Sequence, residues 1–334
     1  MNLPVRFAQR CYAMLALLLI ACAAHAQTAL PSWNEGPSRQ AILEFVDAVT
    51  KEGGPDYVAP VDRIAVFDND GTLWSEQPMY FELIFAMDEL KVLAPQHPEW
   101  KREQPYKAAL EGDRQTLAAS GKEGLLKIVG VTHTNMTTQV FSDEVKQWVQ
   151  TAKHPRFKQP YTSLTFAPMR ELLYYLRGNG FKTYIVSGGE VEFMRAWAQD
   201  VYGIPPEQVI GTTFATEFQM QDGKPVLMRL PELDYNDDGP GKPVSINKFI
   251  GRQPIFAFGN SDGDLQMLQW TMAGPGKRFA GLVRHTDAKR EWAYDRDSQI
   301  GKLDKALDEA NSKGWVVVDM AREWKRIYAF DMPQ

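Results

Sequence analysis

The stretch RIAVFDNDGTLW, Arg63 to Trp74, drives the apolar run Ile64 to Phe67 into Asp68-Asn69-Asp70 and then Gly71-Thr72. Carboxylates one residue apart repel each other, and the end of an apolar strand is a costly place to leave them charged. Positive charge is therefore expected beside them. A second acidic loop, Gly259-Asn260-Ser261-Asp262-Gly263-Asp264, follows the apolar run PIFAF, and Ser187-Gly188-Gly189-Glu190 follows FKTYIV. All three loops leave strand-like runs, which sets the question of what brings them together.

The elements around them alternate. SRQAILEFVDAVTK carries Ile42, Leu43, Phe45, Val46 and Val49 at helical spacing within an otherwise polar leader, and EGGPDYVAP breaks it. Arg63 to Phe67 reads as a strand. Residues 76–165 show no strand pattern: MYFELIFAMDELKVLA, GKEGLLKIVGVTH and SDEVKQWVQTAK read as helices, and the region as a helical insert. PMRELLYYLRGNG then reads as a helix, FKTYIVSGG as a strand, EVEFMRAWAQDVYG as helical, and TTFATEFQMQDGKPVLMRL as two strands about an Asp222-Gly223 turn. INKFIG is a short helix, while PIFAF, AGLVRH and GWVVVDM are further strands. Such alternation predicts an α/β fold with a parallel sheet covered by helices. In that architecture ligands sit beyond the carboxyl ends of the strands, so the three loops are expected on one edge.

With 334 residues and a formal net charge of -5, the chain can bury a large core and carries no basic stripe for a nucleic-acid backbone. Arg6 and Arg10 followed by the apolar Met14 to Ala24 and by Ala24-His25-Ala26 read as a signal peptide, residues 1–26, with Gln27 as the mature start and the periplasm as destination. LIAC, Leu19 to Cys22, is the rival reading: a lipoprotein box that would anchor the chain by a lipid on Cys22. An uncleaved membrane anchor is disfavoured by the length of the run. Cys11 and Cys22, the two cysteines of the chain, both fall here, so the mature chain would have no disulfide and no thiolate chemistry.

FDNDGTLW, IVSGG, GKPVSINKFI and FAFGNSDGD, in this order, resemble the haloacid dehalogenase superfamily, and most of all its phosphoserine-phosphatase-like phosphohydrolases. The resemblance spans residues 60–320. It implies a Rossmann-like core, residues 27–75 and 166–334, with residues 76–165 as a C1-type cap. It also implies a magnesium-dependent phosphomonoester hydrolase with an aspartyl-phosphate intermediate and a small soluble substrate. Asp68 matches the nucleophile and Asp70 the acid/base. Ser187, the Gly188 amide and Thr72 match the phosphate-binding groups. Lys242 matches the lysine that neutralises the transferring phosphoryl group, with Lys248 as competitor. Dehalogenases attack carbon and lack the second acid of the first loop, so Asp70 favours phosphoester cleavage.

Mg2+ would be held by Asp68, by the Asp70 carbonyl and by the fourth motif. Here the chain departs from the family's Gly-Asp-x-x-x-Asp, with Asn260 at the first acid, Asp264 at the second and Asp262 as an extra acid open to the ligand role. Two other readings remain: a phosphotransferase with the same intermediate, and an inactive phosphate-binding protein for which Asn260 is the support. Trp74, Glu76 and Met79 to Phe81 leave the catalytic loop toward the cap and are candidates to touch the leaving group, Glu76 otherwise being exposed at the start of the cap helix. Asp234 to Gly239 matches only the start of a calcium loop and reads as a polar turn, and His285 as a satisfied histidine. No stable protein partner is inferred.

Overall fold

A computed structural model describes residues 29–331, so the expected signal segment, with Cys11 and Cys22, lies outside the described residues. Eight strands form one sheet: β1 (Ile64–Phe67), β2 (Lys182–Glu190), β3 (Val209–Gln221), β4 (Lys224–Tyr235), β5 (Phe256–Gly259), β6 (Phe279–Thr286), β7 (Ala293–Tyr294) and β8 (Val316–Asp319). The order is β4-β3-β2-β1-β5-β6-β7, with β8 beside β6. The β2-β3, β1-β2, β1-β5, β5-β6 and β6-β8 pairs are parallel, and only β3-β4 and β6-β7 are antiparallel. This is the expected helix-covered α/β architecture.

β1 is central and every one of its residues is buried, as a strand packed on both faces requires. Phe67 packs on Phe256 and Phe258 of β5 on one side of the sheet. Val66 lies on the other with Val186, Ile246 and Met267. β1 and β5 run into the two acidic loops, Ser187 to Glu190 are the irregular end of β2, and all three stretches therefore meet at one edge.

The polar leader is an element of the core. The helix Pro37–Thr50 buries Ile42, Phe45, Val46 and Val49, and Phe45 touches the rings of Phe181, Phe256 and Phe279. Periodicity marked the helix but not what it would pack against.

Within residues 76–165 the α-helices are Phe81–Leu93, Tyr106–Glu111, Arg114–Ala119, Gly121–His133 and Thr138–Thr151, with no strand among them. Ala86, Leu90, Trp100, Ala108, Ala109, Leu117 and Ile128 form a small core of their own. Phe81, Phe85, Phe141 and Val145 instead join the main core. The long β3-β4 ribbon, turned by Asp222 (φ 50°) and Gly223 (φ 77°), reaches these helices: Arg229 N–H donates to the Met136 carbonyl at 2.9 Å and Asn135 N–H to the Arg229 carbonyl at 2.8 Å. No helix of the described residues is long and apolar enough to cross a membrane.

Because Phe45 is 2 % exposed and bound by three rings, Phe45→Ala is expected to cost about 3–5 kcal/mol in urea unfolding. A leader lying loosely on the surface would lose no more than about 0.5 kcal/mol.

Candidate active site

The first loop is a tight turn. Asp68 N–H donates to the Phe258 carbonyl at 3.0 Å, and Thr72 and Leu73 donate to the Asn69 carbonyl at 3.1 and 2.8 Å. Gly71 has φ +74°, and a Cβ there would collide with Asn260 Nδ2 and Glu76 Oε1. Only glycine meets both demands at this point.

Lys242, at the start of the helix Gly241–Phe249, lies beneath this loop. Its ammonium donates to Asp68 Oδ1 at 2.7 Å and to Asp264 Oδ1 at 2.6 Å. Lys248, the competitor, is exposed beside the Tyr235 and Phe249 rings, so the structure places Lys242 at the carboxylates. Burial works against the Lys242 ammonium, but Asp264 and Asp68 outweigh it and hold its pKa above the usual lysine value. Asp68 is raised well above the ordinary aspartate range by burial, then by Asp264, with Lys242 opposing. One ammonium does not compensate the neighbouring carboxylates.

Asp70 is fixed by Trp74, whose indole N–H donates to its Oδ1 at 2.7 Å. Burial raises its pKa to about 6, with Trp74 and Lys242 pulling it back. Its Oδ2 lies beside Gly189 of the second loop. Ser187 and Gly188 line the same cavity, the Ser187 hydroxyl accepting the Gly189 N–H at 3.2 Å.

Several expectations are corrected. The Thr72 hydroxyl does not line the cavity, because it donates to Asn260 Oδ1 at 3.1 Å. Asp262 is turned to another task through one oxygen: its Oδ1 accepts the Asp304 and Ala306 amides, both at 2.9 Å, at the start of the helix Lys305–Lys313. Asp264 has both oxygens engaged, Oδ1 by Lys242 and Oδ2 by the Asn260 and Ser261 amides at 2.9 and 3.0 Å. It clamps the lysine and the fourth loop rather than offering a free ligand. Trp74 and Phe81 are fully buried core residues, stacked or edge-on to Trp197 and Tyr161, and of that stretch Tyr80 and Glu76 reach the cavity.

Glu76 is 2 % exposed, not a surface residue at the start of the helix. Its Oε1 accepts Asn260 Nδ2 at 2.7 Å and the Tyr294 hydroxyl at 2.8 Å. Burial holds its pKa near 8, with His285 and Tyr294 pulling it down. His285 is the satisfied histidine expected: Nε2 bonds the Gly71 carbonyl at 2.8 Å and Nδ1 bonds Glu291 at 3.1 Å. Both ring nitrogens face acceptors, which pins the first loop.

The cavity, about 320 Å3, opens over Asp68 and Asp70 and runs toward the helical insert. Leu83, Leu125, Leu126 and Val129 of the insert and Phe214 and Leu233 of the β3-β4 ribbon form its apolar wall. Glu82, Glu190 and Asp238 also line it. Glu82 accepts the Glu190 amide at 2.8 Å, and Glu190 is paired with Arg229 at 3.2 Å, a buried ion pair from the ribbon. Glu190 directly follows Ser187-Gly188-Gly189, so its proximity was readable. Glu82 and Arg229 come from the insert and the ribbon, and no local pattern marked them. Asp234 and Tyr235 end β4, and Asn236 to Gly239 form the polar turn, which carries Asn236 and Asp238 to the cavity. Its Asp237 amide donates to Thr212 Oγ1 at 3.1 Å, and that hydroxyl donates to the Gly188 carbonyl at 2.7 Å.

The oxygen donors suit a small hard cation. The Asp68 carboxylate, whose Oδ2 makes no hydrogen bond among the described residues, and the Asp70 and Asn260 carbonyls are all hard ligands, and the excess of buried carboxylates over Lys242 favours a divalent charge. No group of three or more His, Cys, Asp or Glu side chains placed to hold a metal occurs among the described residues. A set with only one carboxylate side chain and two carbonyls would not form such a group.

A family model described as haloacid dehalogenase-like hydrolase matches residues 65–269, more than half of the chain. No curated protein matches the sequence. Among solved structures, the chain is similar to a conserved protein of unknown function from Anaerococcus prevotii, at 18% identity, 84% of this chain, 90% of that chain and TM-score 0.49. A protein of unknown function from Bordetella pertussis matches at 14% identity, 77% of this chain, 98% of that chain and TM-score 0.47. A phosphoserine phosphohydrolase-like protein from Francisella tularensis matches at 20% identity, 66% of this chain, 87% of that chain and TM-score 0.36. These scores lie below 0.5 and carry no argument about activity.

Burial and then Glu190 raise the Glu82 pKa from 4.5 to about 8. Between those values the unfolded chain is ionised there while the folded chain stays protonated, so stability falls as pH rises from about 4.5 to about 8 and levels off above. Glu82→Gln removes this contribution. Its melting temperature is expected to drop less between about pH 5.5 and about pH 8 than that of the unsubstituted chain. Equal drops would show that Glu82 does not carry the proton.

Proposed function

The chain belongs to the haloacid dehalogenase-like hydrolases, and from that premise we propose that it is a Mg2+-dependent phosphomonoesterase with an aspartyl-phosphate intermediate. One observation carries this reading: Asp68 and Asp70 face one cavity with Ser187 and Gly188, while Lys242 sits on the first carboxylate.

The Asp68 Oδ2, free while Lys242 holds Oδ1, attacks phosphorus, and the bond from phosphorus to the ester oxygen breaks. Asp70, held by Trp74, delivers its proton to that oxygen, and the alcohol leaves. Water then attacks the phosphoryl group on Asp68, its proton passing to the Asp70 carboxylate, and phosphate departs with the Asp68 carboxylate restored. The Ser187 hydroxyl and the Gly188 amide donate to the phosphoryl oxygens, and Lys242 offsets the charge that builds up between Asp68 and phosphate. Mg2+, held by Asp68, the Asp70 carbonyl and Asn260, would supply further neutralisation of phosphate charge.

The leaving group is read from the rest of the cavity. Among its lining residues Lys242 is the one Lys, Arg or His, against Asp68, Asp70, Glu76, Glu82, Glu190 and Asp238. The site offers one place for an anion, the phosphoryl group, and an apolar wall beyond it. The substrate is therefore a small ester whose alcohol is neutral or cationic, with no second anionic group. We further propose export to the periplasm, with residues 1–26 removed. Recovery of the protein with its amino terminus at Gln27 supports this, and a lipid on Cys22 overturns it in favour of an anchored form.

The chain beginning at Gln27 is expected to release phosphate from small monoesters with Mg2+, and not with chelator or as Asp68→Asn. Esters of neutral or amino alcohols should exceed phosphoserine, which adds a carboxylate, by about tenfold or more in kcat/KM. Folded protein that binds Mg2+ and releases nothing from any ester would leave a phosphate-binding protein. Phosphate appearing on an added alcohol rather than free would make it a phosphotransferase.

A further inference from the structure

Most of the buried carboxylates around the catalytic loop face a basic side chain. Asp68 and Asp264 share Lys242, Glu190 has Arg229, and Glu291 has His285. Asp70 and Glu76 form no ion pair among the described residues. The proton-transfer role accounts for Asp70. Nothing in that mechanism accounts for Glu76, which sits at 2 % exposure on the wall of the same cavity as Asp68 and Asp70. A carboxylate buried without an ion pair is costly; His285 nearby favours its charge, but Asp70 and Asp68 oppose it.

The contacts of Glu76 are directed. Oε1 takes the Asn260 Nδ2 and Tyr294 hydroxyl protons, while Oε2 makes no hydrogen bond among the described residues. Tyr294 is stacked on His285 at 4.3 Å, and His285 bonds the Gly71 carbonyl, so Glu76 is held from the same side that closes the first loop. The bond from Nδ2 also decides which way the Asn260 amide faces. With its nitrogen committed to a carboxylate, the amide presents Oδ1 away from Glu76, where the Thr72 hydroxyl takes one lone pair and the other stays open. A cation bound by Asp68, the Asp70 carbonyl and Asn260 would meet only one formal negative charge among those three.

We infer that Glu76 is the second carboxylate of the metal site: it supplies the negative charge that Asn260 lacks and fixes the Asn260 amide with its oxygen toward the cation. This rests on the metal-dependent reading above. The acid of the site has moved from the fourth loop to the segment after the first, reaching the same place from across the loop. Glu76 is thus a metal-site residue, and pairing with the substrate is not its role.

The test is Mg2+ titration calorimetry on the chain beginning at Gln27, with no substrate present. Unsubstituted protein that binds no Mg2+ overturns the metal-dependent reading and this inference together. If it binds, Glu76→Gln, which keeps shape and the Tyr294 bond but loses the charge, is expected to weaken Mg2+ binding about tenfold or more. Unchanged affinity in a folded Glu76→Gln chain overturns the inference and leaves the phosphatase reading intact. The double substitution Glu76→Gln with Asn260→Asp returns the charge to the fourth loop and is expected to recover affinity to within about threefold of the unsubstituted chain, well inside the effect of a lost supporting group. It also serves if the single variant fails to fold. Affinity as weak as that of Glu76→Gln would overturn the inference.

Discussion

The ammonium of Lys242, buried between Asp68 and Asp264, is the interaction on which the site depends. It ties three separate pieces of chain: the loop after β1, the helix Gly241–Phe249 and the loop after β5. Asp264 in turn holds the Asn260 and Ser261 amides, so the lysine sets the shape of the fourth loop through a carboxylate rather than touching it directly. Breaking a buried ion pair by removing one partner leaves an uncompensated charge, which costs several times what a surface pair contributes. The same arrangement explains why Asp68 is both buried and usable. One oxygen is fixed by the lysine, and the other remains free over the cavity.

Around this pair the structure is organised by charge sign. Carboxylates converge from the loop after β1, the insert, β2 and the turn after β4, while among the described residues one lysine and no arginine line the cavity. The Arg229 guanidinium supports that wall and is spent on Glu190 and the His133 carbonyl. On the proposed reading, a site with this balance receives positive charge along with phosphate. Its apolar far wall belongs to the insert and to the β3-β4 ribbon, which bond to each other through Arg229 and Met136. Leaving-group selection is therefore a property of how those two elements meet.

The relation between loop and strand was legible in advance because it is local. An apolar run that ends in Asp-Asn-Asp-Gly or in Gly-Asn-Ser-Asp is a strand running into a turn, and parallel α/β topology then sends such turns to one edge. The helices of the insert, the Asp222-Gly223 turn, the helix of the leader and the choice of Lys242 over Lys248 followed from spacing and motif context. Glu76 was misread as exposed, since helix periodicity says nothing of a partner more than two hundred residues away on β7. A side chain in an acidic loop can serve a helix start as readily as a cation, and only the path of Lys305–Lys313 shows that Asp262 Oδ1 takes the first task. Thr72 was likewise assigned to phosphate when its hydroxyl is taken by Asn260.

By itself the sequence determined the strand-to-loop order, the acids of the first loop, the helical character of residues 76–165 and the expectation that cationic charge must meet Asp68 and Asp70. Those are consequences of residue type, period and the cost of neighbouring like charges, which hold within a few residues of chain. Tertiary structure alone decided which carboxylates are paired, that Asp264 clamps rather than ligates, that Glu82 and Arg229 lie at the cavity, and that Glu76 stands against Asn260. Each of these depends on where the free valences of a buried polar group point after distant segments pack, and no local pattern carries that information.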